Sequence, residues 1–265
     1  MALSRTDPFY SPKRRLLRAQ KQLQNLDRKI KRFLSAKPYK LLSEPDVDQA
    51  QEILKFQFTK RLPVSCDDLA FEALFTMRSV LDQTAYAAAV ASGIERPKRA
   101  YFPIAKTAAD LENGIKGHCA DVPKPVQALF RRFEPYQGGN GHALWVMNQL
   151  RNSAHTVLLG IGVAGANVVI RHWGDSEPLD GLNPVWDSLK NEIKFARGRK
   201  GQKANYQIHP TFVVGFDHIE IVGRSSAINV LDAAFGKVKR VLLETEAECR
   251  RLGFIKWRTG LSNSG

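Results

Sequence analysis

Two short sets of polar side chains, each at helical spacing inside an apolar stretch, are the residues of this sequence best placed to do chemistry. In SCDDLAFEALFTMRSVLDQTAYAAAVASG, Phe71, Phe75, Arg78, Asp82, Ala85 and Ala89 recur at steps of four and three, so Arg78 and Asp82 share a face with apolar neighbours. In GHALWVMNQLRNSAHTVLLG, Leu144, Asn148, Arg151, His155 and Leu158 do the same. A guanidinium and a carboxylate four residues apart can pair, but taking them out of water costs several kcal/mol unless the pair is well hydrogen-bonded. Asn148, Arg151 and His155 need partners in turn, and Arg78 and Asp82 are of the type to supply them. The chemistry open to such a set is proton transfer by His155 near neutral pH and an electrostatic hold on an anion by Arg151 or Arg78. The plainer reading of a single histidine on an apolar face is a satisfied core residue. Histidines and carboxylates lack the spacing of a metal site, and YQGGNGH follows no strand and lacks the lysine of a phosphate loop, so neither metal nor cofactor is expected.

The elements that must carry these residues follow from periodicity. Helices are expected at residues 12–37, 65–93, 141–160 and 225–253, with Ser11, Ser65 and Asn140 as caps and Gly93 as a stop. Two shorter helices are expected near Thr107 to Ile115 and Pro125 to Phe133. Residues 39–63 alternate as a hairpin, and residues 165–223 read as further strands: GANVVIRHW, SLKNEIKFAR, NYQIHPTFVVGFD and HIEIVG, with ARGRKGQK as a turn. The whole, 1–265, reads as one α+β domain.

Charge is unevenly spread. The 265 residues hold 40 Lys and Arg against 26 Asp and Glu, a net +14, with a pI near 9.8. Residues 1–40 contain 12 basic and 2 acidic side chains, a net +10, which leaves +4 for the other 225. On the first helix Leu16, Ala19, Leu23, Leu26, Ile30 and Phe33 form an apolar stripe, and Arg14, Arg18, Lys21, Arg28 and Arg32 form a cationic one nearly opposite. Most such stripes are solvated faces. Here Lys13, Arg14, Arg15 and Arg18 crowd the amino end of the helix, where its dipole disfavours positive charge, so stability alone would not select them. A polyanionic partner is the functional reading, nucleic acid before membrane. Cys66, Cys119 and Cys249 suit a reducing compartment, and the absence of a signal-like or membrane-spanning apolar run leads to an expectation of a cytoplasmic protein.

The helices MRSVLDQTAYAAA and LWVMNQLRNSAHTVLL, with Phe102-Pro103-Ile104 between them, resemble a group of uncharacterised bacterial proteins over roughly residues 10–250. In that group the first helix carries Leu-Arg-Ser-x-Leu-Asp-His. These helices are similar to the HEPN superfamily, whose signature is Arg-x(4–6)-His and many of whose members are metal-independent ribonucleases or toxins of defence systems. The resemblance implies a long-helix bundle with an inserted antiparallel β-sheet. It also implies a nucleic-acid-binding protein, RNA ahead of DNA, with a site built from Arg78, Asp82, Asn148, Arg151 and His155. The motif is degenerate here: Gln83 stands where the group has histidine, and only three residues separate Arg151 from His155. Alternatives are an active endoribonuclease using His155 and Arg151, and a structural subunit that pairs with a second copy.

Overall fold

The computed structural model describes residues 6–47, 50–154, 160–172, 179–187, 189–201, 206–217 and 221–255. They divide into two compact units. The first is drawn from Met1–Gln24, Leu69–Leu158 and Val230–Gly265, the second from Asn25–Asp68 and Leu159–Asn229.

Helices dominate the first unit. The chain forms α1 (Tyr10–Ser35), α2 (Ser65–Ala91), α3 (Ala108–His118), α4 (Lys124–Arg132), α5 (His142–Ser153) and α6 (Ala227–Arg251). Asp7 rather than Ser11 prepares the start of α1, its Oδ1 accepting from Phe9 N at 2.9 Å. Ser11 instead donates to Gln83 Oε1 on α2 at 2.9 Å. Lys13, crowded at the same helix end, is neutralised by Asp7 at 2.9 Å and Glu246 of α6 at 2.7 Å. Gly93, with φ +103°, stops the chain that leaves α2, a left-handed conformation that costs glycine nothing. Thr107 caps α3 by accepting from Asp110 N. At α5 the cap is Gly141, not Asn140, and it makes no side-chain cap bond; any Cβ at Gly141 would meet Phe133 O at 2.5 Å.

The face of α2 that holds Arg78 and Asp82 is not its deepest. Phe71 is exposed and Phe75 half-buried, and only Ala85 and Ala89 of that face are sealed, whereas Ala70, Ala73, Leu74, Met77, Val80, Leu81 and Thr84 are all fully or nearly so. The rest of this core comes from Phe102, Phe130, Leu144, Met147, Leu150, Leu231, Val238 and Val241.

The second unit contains two antiparallel sheets. β1 (Tyr39–Pro45) and β2 (Gln51–Phe58) form the expected hairpin, with Tyr39 opposite Phe58. They join β4 (Asp180–Asp187) and β5 (Glu192–Arg199) in the order β1-β2-β5-β4, while β3 (Ile161–His172) pairs with β6 (Tyr206–Phe216). Phe56, Ile193, Phe195 and Ala196 make the core between them, with Phe212 of β6 packed edge-on to Phe56 at 5.6 Å and to Phe58 at 4.7 Å. A register shift at Leu54/Lys55 explains why buried positions in β2 step from Ile53 to Phe56 rather than alternating. It leaves Lys55, 12% exposed, against Glu44 of β1 and at 2.8 Å from Glu192 of β5, which is 1% exposed.

Several expectations are corrected here. The α+β composition stands, but the architecture is not a HEPN-like long-helix bundle with an inserted sheet. Its longest helices have 26, 27 and 25 residues, three of 11, 9 and 12 residues lie among them, and the strands form two sheets around an aromatic core of their own. Residues 221–223 of the expected HIEIVG strand are a turn. Arg197 and Arg199 belong to β5, not to a turn, because Gln51–Ile53 of β2 pair with Arg199–Arg197. β4 was not foreseen; it lies at a sheet edge, the place where a strand tolerates Pro184.

Candidate functional site

Arg78 and Asp82 meet as their spacing requires. Arg78 Nε donates to Asp82 Oδ2 at 3.1 Å and Nη2 to Oδ1 at 2.8 Å. The same Nη2 donates to Phe102 O at 2.9 Å, and Phe102 N donates to Asp82 Oδ1 at 3.2 Å. The pair thus grips both polar groups of one peptide residue. Phe102, 1% exposed and edge-on to Phe130 at 4.8 Å, is anchored at its backbone by the charges and at its ring by the core. One residue earlier the loop is stitched again: Tyr101 N donates to His118 O at 3.0 Å and Cys119 Sγ to Tyr101 O at 3.0 Å.

Electrostatics agree with a structural pair. Burial pushes the Asp82 carboxyl up and the Arg78 guanidinium down, while their mutual attraction and hydrogen bonds work against both shifts. Desolvation is the largest influence on each. Arg151 of α5 reaches the same neighbourhood, where its charge lowers both pKa values. Its Cζ lies 5.6 Å from the Phe75 ring centroid, in the range of a cation–π contact, and its buried Nε has no hydrogen-bond acceptor.

The sequence-derived site is therefore assembled in part. Arg78, Asp82 and Arg151 come together. Asn148 is half-buried on α5, and no hydrogen bond ties it to them among the described residues. His155 lies outside the described residues. Gln83, where the resembled group has histidine, is turned from Arg78 by about 140° of helix and is held by Ser11 and, at 3.4 Å, by Ser79.

All five cations singled out on α1 are exposed: Arg14, Arg18 and Lys21 in the first unit, Arg28 and Arg32 in the second. Ideal helix geometry puts them within about 80° of one another around the axis. Arg18 faces Glu72 at a distant 3.8 Å and Arg28 donates to Asn25 Oδ1 at 3.2 Å. Among the described residues, Arg14, Lys21, Arg28 and Arg32 meet no carboxylate.

One cationic feature escaped the sequence reading. In the second unit a groove of about 540 Å³ is lined by Lys29, Arg32, Lys37 and Lys60 with no acidic residue. The strand register that sets Tyr39 opposite Phe58 brings Lys37 and Lys60 to neighbouring ends of the hairpin, which no sequence signal announces.

All three cysteines are buried and unbridged, and burial pushes the thiols of Cys119 and Cys249 up to about 12. No helix among the described residues is long and apolar enough to cross a membrane. Comparison with family profiles, curated proteins and solved structures finds no match to this chain.

Proposed function

We propose that this is a nucleic-acid-binding protein, acting through the cations of α1 and without catalysis at the Arg78–Asp82 pair. The observation that carries the reading is the exposure of Arg14, Arg18, Lys21, Arg28 and Arg32 on one helix, with no carboxylate against four of them among the described residues. Exposed cations of one sign, held along a rod, match the regular negative charge of a phosphate backbone. Lys13, from the same cluster, differs in meeting two acids, Asp7 and Glu246. The likeness of the MRSVLD and NQLRNSAH helices to RNA-acting proteins puts RNA ahead of DNA. Three buried free cysteines are in keeping with a cytoplasmic setting.

Catalysis at Arg78 is disfavoured because Arg78 and Asp82 are spent on each other and on Phe102, and Gln83 cannot accept a proton. The test is the salt dependence of RNA binding by the full chain. Five phosphate contacts give a slope of log affinity against log salt of about −3.5 to −4.5. R14Q/R18Q/K21Q and R28Q/R32Q should each flatten that slope in proportion to the charges removed and leave the melting curve in place. Binding that ignores salt, or survives removal of all five cations, overturns the reading. Metal-independent cleavage of RNA that is lost in His155→Ala would establish the ribonuclease instead.

A further inference from the structure

The groove at Lys29, Arg32, Lys37 and Lys60 has the size and the charge to take a ligand. Its volume, about 540 Å³, lies within the usual range for ligand sites of about 300 to 1,000 Å³. Four cations line it, all exposed, and among the described residues none of them meets a carboxylate. Among the described residues Lys29 Nζ is engaged only by Ser65 Oγ, a neutral partner at 2.9 Å. Arg32, in the last turn of α1, suits the negative end of the helix dipole, which explains one of the four. Lys37 and Lys60 have no such explanation, and Lys37 sits at φ +46°, a conformation cheaper for glycine or asparagine.

The apolar part of the lining is as fixed as the charge is free. Phe33 is half-buried and stacked on Phe58 of the second-unit core, with centroids 6.2 Å apart and planes 14° from parallel. Pro38 O accepts both Thr59 N at 2.8 Å and Thr59 Oγ1 at 3.1 Å, tying the end of α1 to the end of β2. A ring held flat beside four unneutralised cations is the combination that takes an unpaired base and the phosphates flanking it. A duplex needs only the charge, since its bases are already stacked on one another.

We infer that this groove binds a single-stranded nucleic-acid segment, phosphates on Lys29, Arg32, Lys37 and Lys60 and a base against Phe33. The inference deepens the nucleic-acid reading and rests on it for the class of partner. Its test uses the full chain, a labelled 12-nucleotide oligouridylate and a 12-base-pair RNA duplex, with affinity followed by fluorescence anisotropy across salt concentrations. K37Q/K60Q, confined to two exposed side chains outside the α1 stripe, is expected to weaken single-strand binding about tenfold. It should flatten the single-strand salt slope by about 1.4, two contacts at about 0.7 each, and leave duplex affinity within twofold. Phe33→Leu is expected to weaken the single strand alone and leave its salt slope unchanged; should that variant melt, K37Q/K60Q decides by itself.

Equal losses for both forms, no loss for either, or uridine monophosphate competing as well as the 12-mer overturns the groove. If R14Q/R18Q/K21Q loses both forms while K37Q/K60Q loses nothing, nucleic-acid binding stands and the groove falls. If K37Q/K60Q loses the single strand while R14Q/R18Q/K21Q loses nothing, the groove stands and the α1 surface falls. No binding of either nucleic acid removes both.

Discussion

The Arg78–Asp82 cluster of the first unit and the Lys29–Arg32–Lys37–Lys60 groove of the second both concentrate charge, and they differ in where the opposite charge comes from. Arg78 finds its carboxylate one helical turn away and a carbonyl on Phe102, so the protein completes the set itself. The groove has cations only. The quartet of Glu44, Lys55, Glu192 and Lys194 belongs with the first kind although it lies in the second unit: two acids face two bases across β1, β2 and β5. What separates the kinds is desolvation. A buried charge must be answered within the fold, whereas an exposed one can wait for a ligand.

That distinction can be broken by substitution, and the largest effect is expected at Lys55. Lys55→Met leaves Glu192 buried without its cation, and a loss of about 3 to 5 kcal/mol is expected in urea unfolding. A loss below about 1 kcal/mol would place that quartet among the surface pairs. Asp82→Ala should cost less, about 3 kcal/mol, because the pair retains some exposure, at 16% and 27% for the two side chains. Asp82→Asn, which can still accept from Phe102 N, should recover part of that loss. At the other extreme, each α1 cation changed to glutamine should move stability by no more than about 0.5 kcal/mol while RNA affinity falls. A large stability change there would mean that the stripe is scaffold after all.

The smallest effect sharpens the comparison through pH. Hydrogen bonds from Lys194 and Lys55 hold the Glu44 carboxyl down to about 2, from an ordinary 4.5. The folded protein therefore binds fewer protons than the unfolded chain between those values, and stability rises with pH in that window. Glu44 contributes fully above about pH 4.5, and its contribution is lost as pH falls towards 2. Glu44→Gln should flatten this part of the acid-unfolding profile; an unchanged profile would show that the carboxylate is free.

Periodicity made much of this legible. The apolar stripe of Ala19, Leu23, Leu26 and Ile30 docks as its spacing requires, and the four-residue step from Arg78 to Asp82 is an ion pair. Phe102-Pro103-Ile104 was visible as a phrase, but its attachment to that pair was not, because a backbone acceptor leaves no residue type to read. The alternation of β2 breaks at Lys55, and only the strand register shows why. The groove was illegible for the same reason: Lys29, Lys37 and Lys60 are unremarkable one at a time and become a site only when the end of α1, the start of β1 and the end of β2 converge. The HEPN-like motif misled on architecture because it describes two helix faces and is silent about the 39–58 and 161–216 segments, which build a core of their own.

The burial of the cysteines has a use beyond structure. Only a thiolate reacts with alkylating reagents, and groups pushed up to about 12 and sealed from solvent react only when the chain opens around them. Cys119 and Cys249 fall in the first unit and Cys66 in the second. Labelling kinetics of the unmodified protein, resolved by peptide mass, would thus time the opening of each unit on its own clock. Oligonucleotide added during the reaction would reveal which clock it slows.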